Sequence, residues 1–333
     1  MSNPFESVDR VAAETSFSGV IRVDRDGTVV LANAYGFAHR GHSIANTIDT
    51  QFGIASGLKA LTALAVVSLI EDGLLELGTT ARSVLGADLP LIADDVTVEH
   101  LLAHRSGIGD YLDEESPGDI SDYAMPVPVH ELVTAEDFVP ILDGHETKFR
   151  AGEDFAYCNG GFVVLALIAE RAAGIAYHDL VMQRVCDPAS MRDTAFLRSD
   201  ELGGRAAVGY LDPEGLRTNA LHLPVRGVGD GGIYSTAADI HAFWTALYAG
   251  RIVSIDWVKE MTRPRSDVPS ESARYGLGFW LHETGESVRL AGYDAGVSFS
   301  TVHDPSGGLT CTVISNWSEG AWPIARLLAE VLV

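Results

Sequence analysis

Ser56-Gly57-Leu58-Lys59 places a serine three residues before a lysine, a spacing that in a helix brings hydroxyl and amine onto one face. The chemistry open to such a pair is nucleophilic: a hydroxyl that gives its proton to a neighbouring amine can attack a carbonyl carbon. Ser56 to Asp72 reads as a helix that is apolar on nearly every face (Leu58, Leu61, Leu64, Val66, Val67, Leu69, Ile70), hence a buried one. A lysine inside it is desolvated, which lowers its pKa and makes the neutral, proton-accepting amine accessible. Ser56 also opens the helix, where free N–H groups and the helix dipole favour negative charge on an attacked carbonyl. The plainer reading is an N-cap serine followed by a lysine that snorkels to water. Scarcity speaks for the sharper one: of 23 cationic residues only Lys59, Lys148 and Lys259 are lysines.

Tyr157-Cys158-Asn159 offers a phenol and an amide that point the same way if the segment is extended. Together they could relay a proton and hold a substrate carbonyl or the lysine amine; the alternative is a turn before the helix Gly160 to Ala173. Cys158, facing the other way, reads as core. Gly292-Tyr293-Asp294-Ala295-Gly296 leads into the strand Val297 to His303, and small residues there let a substrate approach the backbone. A Gly-rich hairpin is the bland counterpart.

Other chemistries lack their residues. There is no Gly-x-Ser-x-Gly elbow, no P-loop and no H-E-x-x-H. Gly227 to Gly232 spells G-x-G-x-x-G, but no apolar strand precedes it and Pro224 and Arg226 interrupt the approach, so no dinucleotide is expected. His100 and His104 have the spacing of a metal pair without an acid between them, and neither metal nor cofactor is expected.

To join Ser56, Tyr157 and Gly292 to Gly296, distant elements must meet. Pro4 to Thr15 reads as an amphipathic helix, and Ser18 to Val23 and Thr28 to Ala34 as strands around an Asp26-Gly27 turn. Thr97 to Pro224 is a run of helical patches, with the acidic stretch Asp110 to Asp122 as a surface loop or lid. Ser235 to Tyr248 carries the capping signal Thr236-Ala-Ala-Asp239. Strands return at Ser287 to Leu290, Val297 to His303 and Thr310 to Ser315, with a turn at Asp304 to Gly308 and a last helix, Trp322 to Leu332.

This order predicts an α/β protein of the α+β type. The N- and C-terminal strands share one antiparallel sheet flanked by helices, and a largely helical part is inserted between them. We take 1–333 as one catalytic domain, with 1–95 and 226–333 as its α/β part and 96–225 as the insertion. The 46 acidic residues against 23 basic ones give a charge of −23, which excludes a nucleic-acid partner. Met1 to Ser18 has no secretory pattern, Leu58 to Ile70 is too short for a membrane span, and the three cysteines (Cys158, Cys186, Cys311) form no framework. The expectation is a cytoplasmic protein with reduced thiols.

S-x-x-K, then Y-x-N, then a small-residue strand is an order shared with β-lactamases and penicillin-binding proteins. The chain resembles the serine β-lactamase-like family, on the side that holds class C β-lactamases, family VIII carboxylesterases and D-aminopeptidases. The likeness runs along nearly the whole length. Phe17 to Ile21 resembles the family's opening strand, and Asn46 to Ser56 its approach to the nucleophile. Val98 to Ile108 resembles "HLLxHxSGL", Phe155 to Phe162 "FxYSNxGY", Gly231 to Thr236 "GGLYST" and Tyr275 to Trp280 "YGLGWW".

The resemblance implies a serine acyl-enzyme. Ser56 would attack an ester or amide carbonyl, Lys59 and Tyr157 would share the role of base, and Asn159 would hold Lys59 or the substrate amide. The backbone N–H groups of Ser56 and Gly296 would form the oxyanion hole, and Tyr293, Asp294 and Ala295 would line the substrate. In the third motif Tyr293 replaces the family's Lys or His, and Ala295 its Gly. With no cation there and Asp294 beside it, a carboxylate substrate is disfavoured. We therefore expect a carboxylesterase-type activity on small esters or amides. The alternatives are a D-amino-acid-specific peptidase or amidase, a weak β-lactamase, and a non-catalytic penicillin-binding-like sensor or scaffold.

Overall fold

The computed structural model describes residues 6–114 and 118–332. Helix α1 spans Glu6–Glu14; Pro4, where it was expected to begin, lies outside the described residues. Strands β1 (Gly19–Arg25) and β2 (Thr28–Tyr35) follow as a hairpin. Asp26 (φ 50) and Gly27 (φ 73) are both left-handed at its turn, the conformation that a tight primed turn demands and that Asp-Gly accepts at low cost.

The remaining strands of the sheet come from the end of the chain: β3 (Ser266–Val268), β4 (Ala273–Tyr275), β5 (Trp280–His282), β6 (Val288–Asp294), β7 (Val297–Asp304) and β8 (Leu309–Ser315). Their order is β2-β1-β8-β7-β6-β5-β4-β3, and every pairing is antiparallel. Gly19 pairs with Ser315 and Arg25 with Leu309, so the two ends of the chain close one sheet, as the strand pattern led us to expect.

Alternation along the strands gives the sheet two apolar faces. Ile21, Val23 and Val313 pack against Val8, Ala12, Ile324 and Leu328 of α1 and the last helix. On the other face Val20, Phe299 and Ile314 join the large core, which holds α2 (Leu58–Glu71), α3 (Asn159–Ala173) and α4 (Ala237–Tyr248). The last helix is α5 (Ala321–Leu332). In α2 every residue from Leu58 to Leu69 is buried, which is why it shows no polar face in sequence.

Two local expectations need adjusting. Ser56 belongs to a one-turn 3-10 segment, Ala55–Gly57, that feeds α2 rather than to α2 itself. Thr236 caps α4 by accepting from the Asp239 N–H, but Asp239 does not reach back to close the box. Its carboxylate instead accepts from Asp193 N–H and Thr194 Oγ1, both at 2.8 Å. No single described helix is long and apolar enough to cross a membrane.

Candidate active site

Ser56 is presented by a sharp turn. Ala55 before it has φ +45, a left-handed value that costs a residue with a Cβ, so the turn is held by its surroundings. One clamp is the Ile54 N–H bond to Ile233 O, and another is β6, which passes directly over the turn. A Cβ on Gly292 would lie 2.2 Å from Ile54 O and 3.1 Å from Ala55 Cβ, so only glycine allows this approach.

Lys59, 2 % exposed, turns its amine into the turn and meets three oxygens: Ser56 Oγ at 2.8 Å, Asn159 Oδ1 at 2.7 Å and the main-chain oxygen of Asp230 at 2.8 Å. Two of these are acceptors only, and the third is a hydroxyl that can also donate. A neutral amine would thus place its two N–H bonds on Asn159 and Asp230 and aim its lone pair at the Ser56 hydroxyl. Burial pulls the Lys59 pKa down, toward that neutral form, against the opposing pull of Asp230, Glu114, Asp294 and Asp110.

Tyr157 completes the group from the other side. Its phenol hydrogen-bonds Ser56, and its ring lies 4.9 Å from Lys59 Nζ. The ring is held between Trp280, stacked at 6.1 Å, and His104 at 4.3 Å. Burial, with Glu114 adding to it, pushes the phenol well above its ordinary pKa, while the Ser56 bond pulls the other way. His104 is buried and held neutral by desolvation; its Nδ1 accepts the Cys158 N–H at 3.0 Å, while its Nε2 has no partner among the described residues.

Of the two roles left open for Asn159, the hydrogen bonds favour one. Its Oδ1 is on Lys59, and its Nδ2 donates to Leu112 O at 2.9 Å and Glu114 Oε1 at 3.0 Å. Its side chain is fully engaged in holding the lysine. Asn159 is positioned by Asp110, whose carboxylate accepts the N–H groups of Asn159 and Gly160 at the start of α3. Cys158 turns away and accepts the Gly161 N–H on Sγ at 3.3 Å.

The third motif is displaced. Ala295 and Gly296 form the two-residue turn between β6 and β7, away from Ser56. Gly296 N–H is taken by Ser318 Oγ at 2.9 Å, and buried Ala295 gives its carbonyl to Asn219 Nδ2. The backbone beside the Ser56 turn is Gly292–Tyr293, three residues earlier. Antiparallel bonding alternates along β6, and the turn makes Asp294 and Val297 a mutually bonded pair. Tyr293 therefore points its N–H away from β7, and Tyr293 and Ser56 line the same outer lobe. The Tyr293 side chain is 39 % exposed and bonds Glu319, which together with burial raises its pKa.

Ser56 stands between two lobes. The inner one, about 70 Å³, is lined by Tyr111, Glu114, Asp230, Asp294, Tyr234 and Val297 among others. The outer one, about 680 Å³, is walled by Tyr157, Trp280, Arg289 and Trp322. Burial pushes Asp294 up to about 7, helped by Asp230 and Glu114 and opposed by Lys59. Asp230, which accepts the Tyr111 hydroxyl at 2.6 Å, is pushed by burial up to about 6 against the pull of Lys59.

At this site a serine and a buried lysine are in contact, with a tyrosine on the same hydroxyl. The family model described as Beta-lactamase matches residues 8–331. This chain belongs to the Beta-lactamase family. The structure of a penicillin binding protein from Bacillus halodurans superimposes with a TM-score of 0.91 at 32 % identity, covering 98 % of this chain and all of that one. D-amino acid amidase from Ochrobactrum anthropi SV3, solved with L-phenylalanine amide, gives a TM-score of 0.79 at 26 % identity over 99 % of this chain and 96 % of that one. The D-aminopeptidase of Brucella anthropi is 28 % identical over 324 residues, 94 % of this chain and 58 % of the relative. The chain spans 58–65 % of the length of such curated relatives.

Three residues that touch the site, Asp230, Asp110 and Glu114, were missed in sequence, and His104 was weighed only as half of a metal pair. Asp230 acts through its carbonyl, so its side-chain type carried no signal; the GGLYST likeness just after it was the available hint. Asp110, His104 and Glu114 act on other site residues from the middle of the chain.

Proposed function

We propose that this protein is a serine hydrolase that cleaves small esters or amides through an acyl-enzyme on Ser56. The observation that carries the reading is the triply bonded amine of Lys59, whose lone pair in the neutral form has only the Ser56 hydroxyl to meet. Ser56 Oγ bonds to the substrate carbonyl carbon as its proton passes to Lys59 Nζ. The N–H groups of Ser56 and Tyr293 receive the charge that develops on the carbonyl oxygen. The C–O or C–N bond then breaks, and the departing atom takes a proton through Tyr157, which Lys59 replenishes. Water repeats the sequence on the acyl-enzyme and releases the acid. The high phenol pKa supports Lys59 as first acceptor and Tyr157 as relay.

A carboxylesterase-type activity is the first expectation. An amidase or aminopeptidase is the second reading, favoured by the carboxylates of the inner lobe and by the likeness to D-amino acid amidase and D-aminopeptidase. The purified protein should form a single fluorophosphonate adduct by intact mass and cleave a short-chain nitrophenyl ester. Ser56→Ala should abolish the adduct and lower turnover by on the order of 10³-fold or more. No adduct, or an adduct that survives Ser56→Ala, would leave the non-catalytic sensor or scaffold as the better account.

A further inference from the structure

The carboxylates around Lys59 are not equivalent. Asp110 is saturated by backbone N–H groups, Asp230 holds the Tyr111 hydroxyl, and Glu114 holds the Asn159 amide. Asp294 accepts no hydrogen bond from any described residue, although it ends β6 directly after the residue beside the nucleophile. The amine of Lys59 is already spent on Ser56, Asn159 and Asp230, and no Lys or Arg lines the inner lobe among the described residues. A carboxylate facing an enclosed, partly apolar lobe without a donor has an unmet demand for a cationic hydrogen-bond partner. The lobe is small, about 70 Å³, and Met125, Leu197, Tyr234 and Val297 give it an apolar wall. The net charge of −23 draws cations toward such a cleft and repels anions.

Resting on the acyl-enzyme reading above, we propose that Asp294 anchors a free primary ammonium on the acyl half of the substrate, which is therefore an α-amino acid ester, amide or N-terminal peptide residue. The ammonium donates to the Asp294 carboxylate while the scissile carbonyl lies on Ser56, and the short side chain rests on the apolar wall. Blocking the amine as an amide removes both its charge and two of its donors.

The test compares the 4-nitroanilides of D- and L-alanine with their N-acetyl forms. In the native protein, kcat/KM for at least one free-amine enantiomer should exceed that of its acetylated partner by about 10- to 100-fold, the worth of one charged hydrogen bond. In Asp294→Asn that ratio should collapse toward one. A native ratio of one or below, or a ratio undiminished in Asp294→Asn, overturns the proposal. A second measurement covers slow anilide turnover: alaninamide should protect Ser56 from fluorophosphonate at a concentration at least about 10-fold lower than N-acetylalaninamide does, and Asp294→Asn should lose that difference. Equal protection by the two amides overturns the proposal as well. Fluorophosphonate labelling separates the two levels: absence of any Ser56 adduct sinks the hydrolase reading, whereas a labelled protein indifferent to the free amine sinks only the anchor.

Discussion

Lys59 and Asn159 stand 100 residues apart in the chain, and Nζ and Oδ1 stand 2.7 Å apart in the fold. The contact joins the buried helix α2 to the first residue of α3, and it gives the lysine a neutral acceptor where a carboxylate would have fixed its charge. Asn159→Asp places a carboxylate there. An opposite charge at this distance should raise the Lys59 pKa, against the lowering by burial. On the proposed reading Lys59 works as a neutral amine, so the ascending limb of kcat/KM against pH should move upward, with activity lost near pH 7 and recovered at higher pH. An unmoved limb would show that Lys59 is not the titrating base.

Asp110 reaches the same asparagine through the backbone. Its carboxylate caps α3 at the Asn159 and Gly160 N–H groups, so Asp110→Ala should cost about 1–2 kcal/mol in urea unfolding. It should also lower kcat more than it raises KM, since the residue it displaces bonds Lys59, the base we propose. Asp110→Asn keeps one acceptor oxygen, for the Asn159 or the Gly160 N–H but not for both, and should recover only part of the stability.

The pair Ser56 and Lys59 was legible because a helical spacing of three is a local rule, and the burial of α2 was legible in its lack of a polar stripe. The shared sheet was legible through the Asp26-Gly27 turn and the strand pattern at both ends. The oxyanion backbone was not. Which N–H of β6 points away from β7 depends on the parity of strand pairing, and the two-residue turn at Ala295-Gly296 gives that place to Tyr293, the oxyanion donor we propose. Ala295 is buried at the turn, while Asp294 lines the inner lobe. Asp230 was invisible for another reason: a main-chain carbonyl looks the same beneath every side chain.

His104 supports Tyr157 from below, with ring centroids 4.3 Å apart, and its Nδ1 accepts the Cys158 N–H. His104→Phe keeps a ring against Tyr157 and removes the acceptor. The buried Cys158 N–H then goes unpaired, at a cost of about 1–3 kcal/mol in chemical denaturation. Histidine here is held neutral by burial, so activity in the native protein should show no inflection that His104→Phe abolishes. Loss of a titration step in that variant would mean that His104 takes part as a charged group.

Asp294 should leave a signature in stability as well as in specificity. Its folded pKa of about 7 lies above the reference value of 3.8, so the folded protein holds this proton more tightly than the unfolded chain does. The stabilising contribution of that proton is complete below pH 3.8 and is lost as pH rises to about 7, beyond which a half-buried, desolvated carboxylate is left. Asp294→Asn cannot ionise. Its melting temperature should therefore match that of the native protein near pH 4 and exceed it by roughly 2–4 °C at pH 8. Asp230 titrates in the same range, so the difference between the two proteins, rather than either curve alone, is the measure. A gap that stays constant from pH 4 to pH 8, or one that closes as pH rises, would mean that Asp294 is ionised throughout and stabilised by its surroundings.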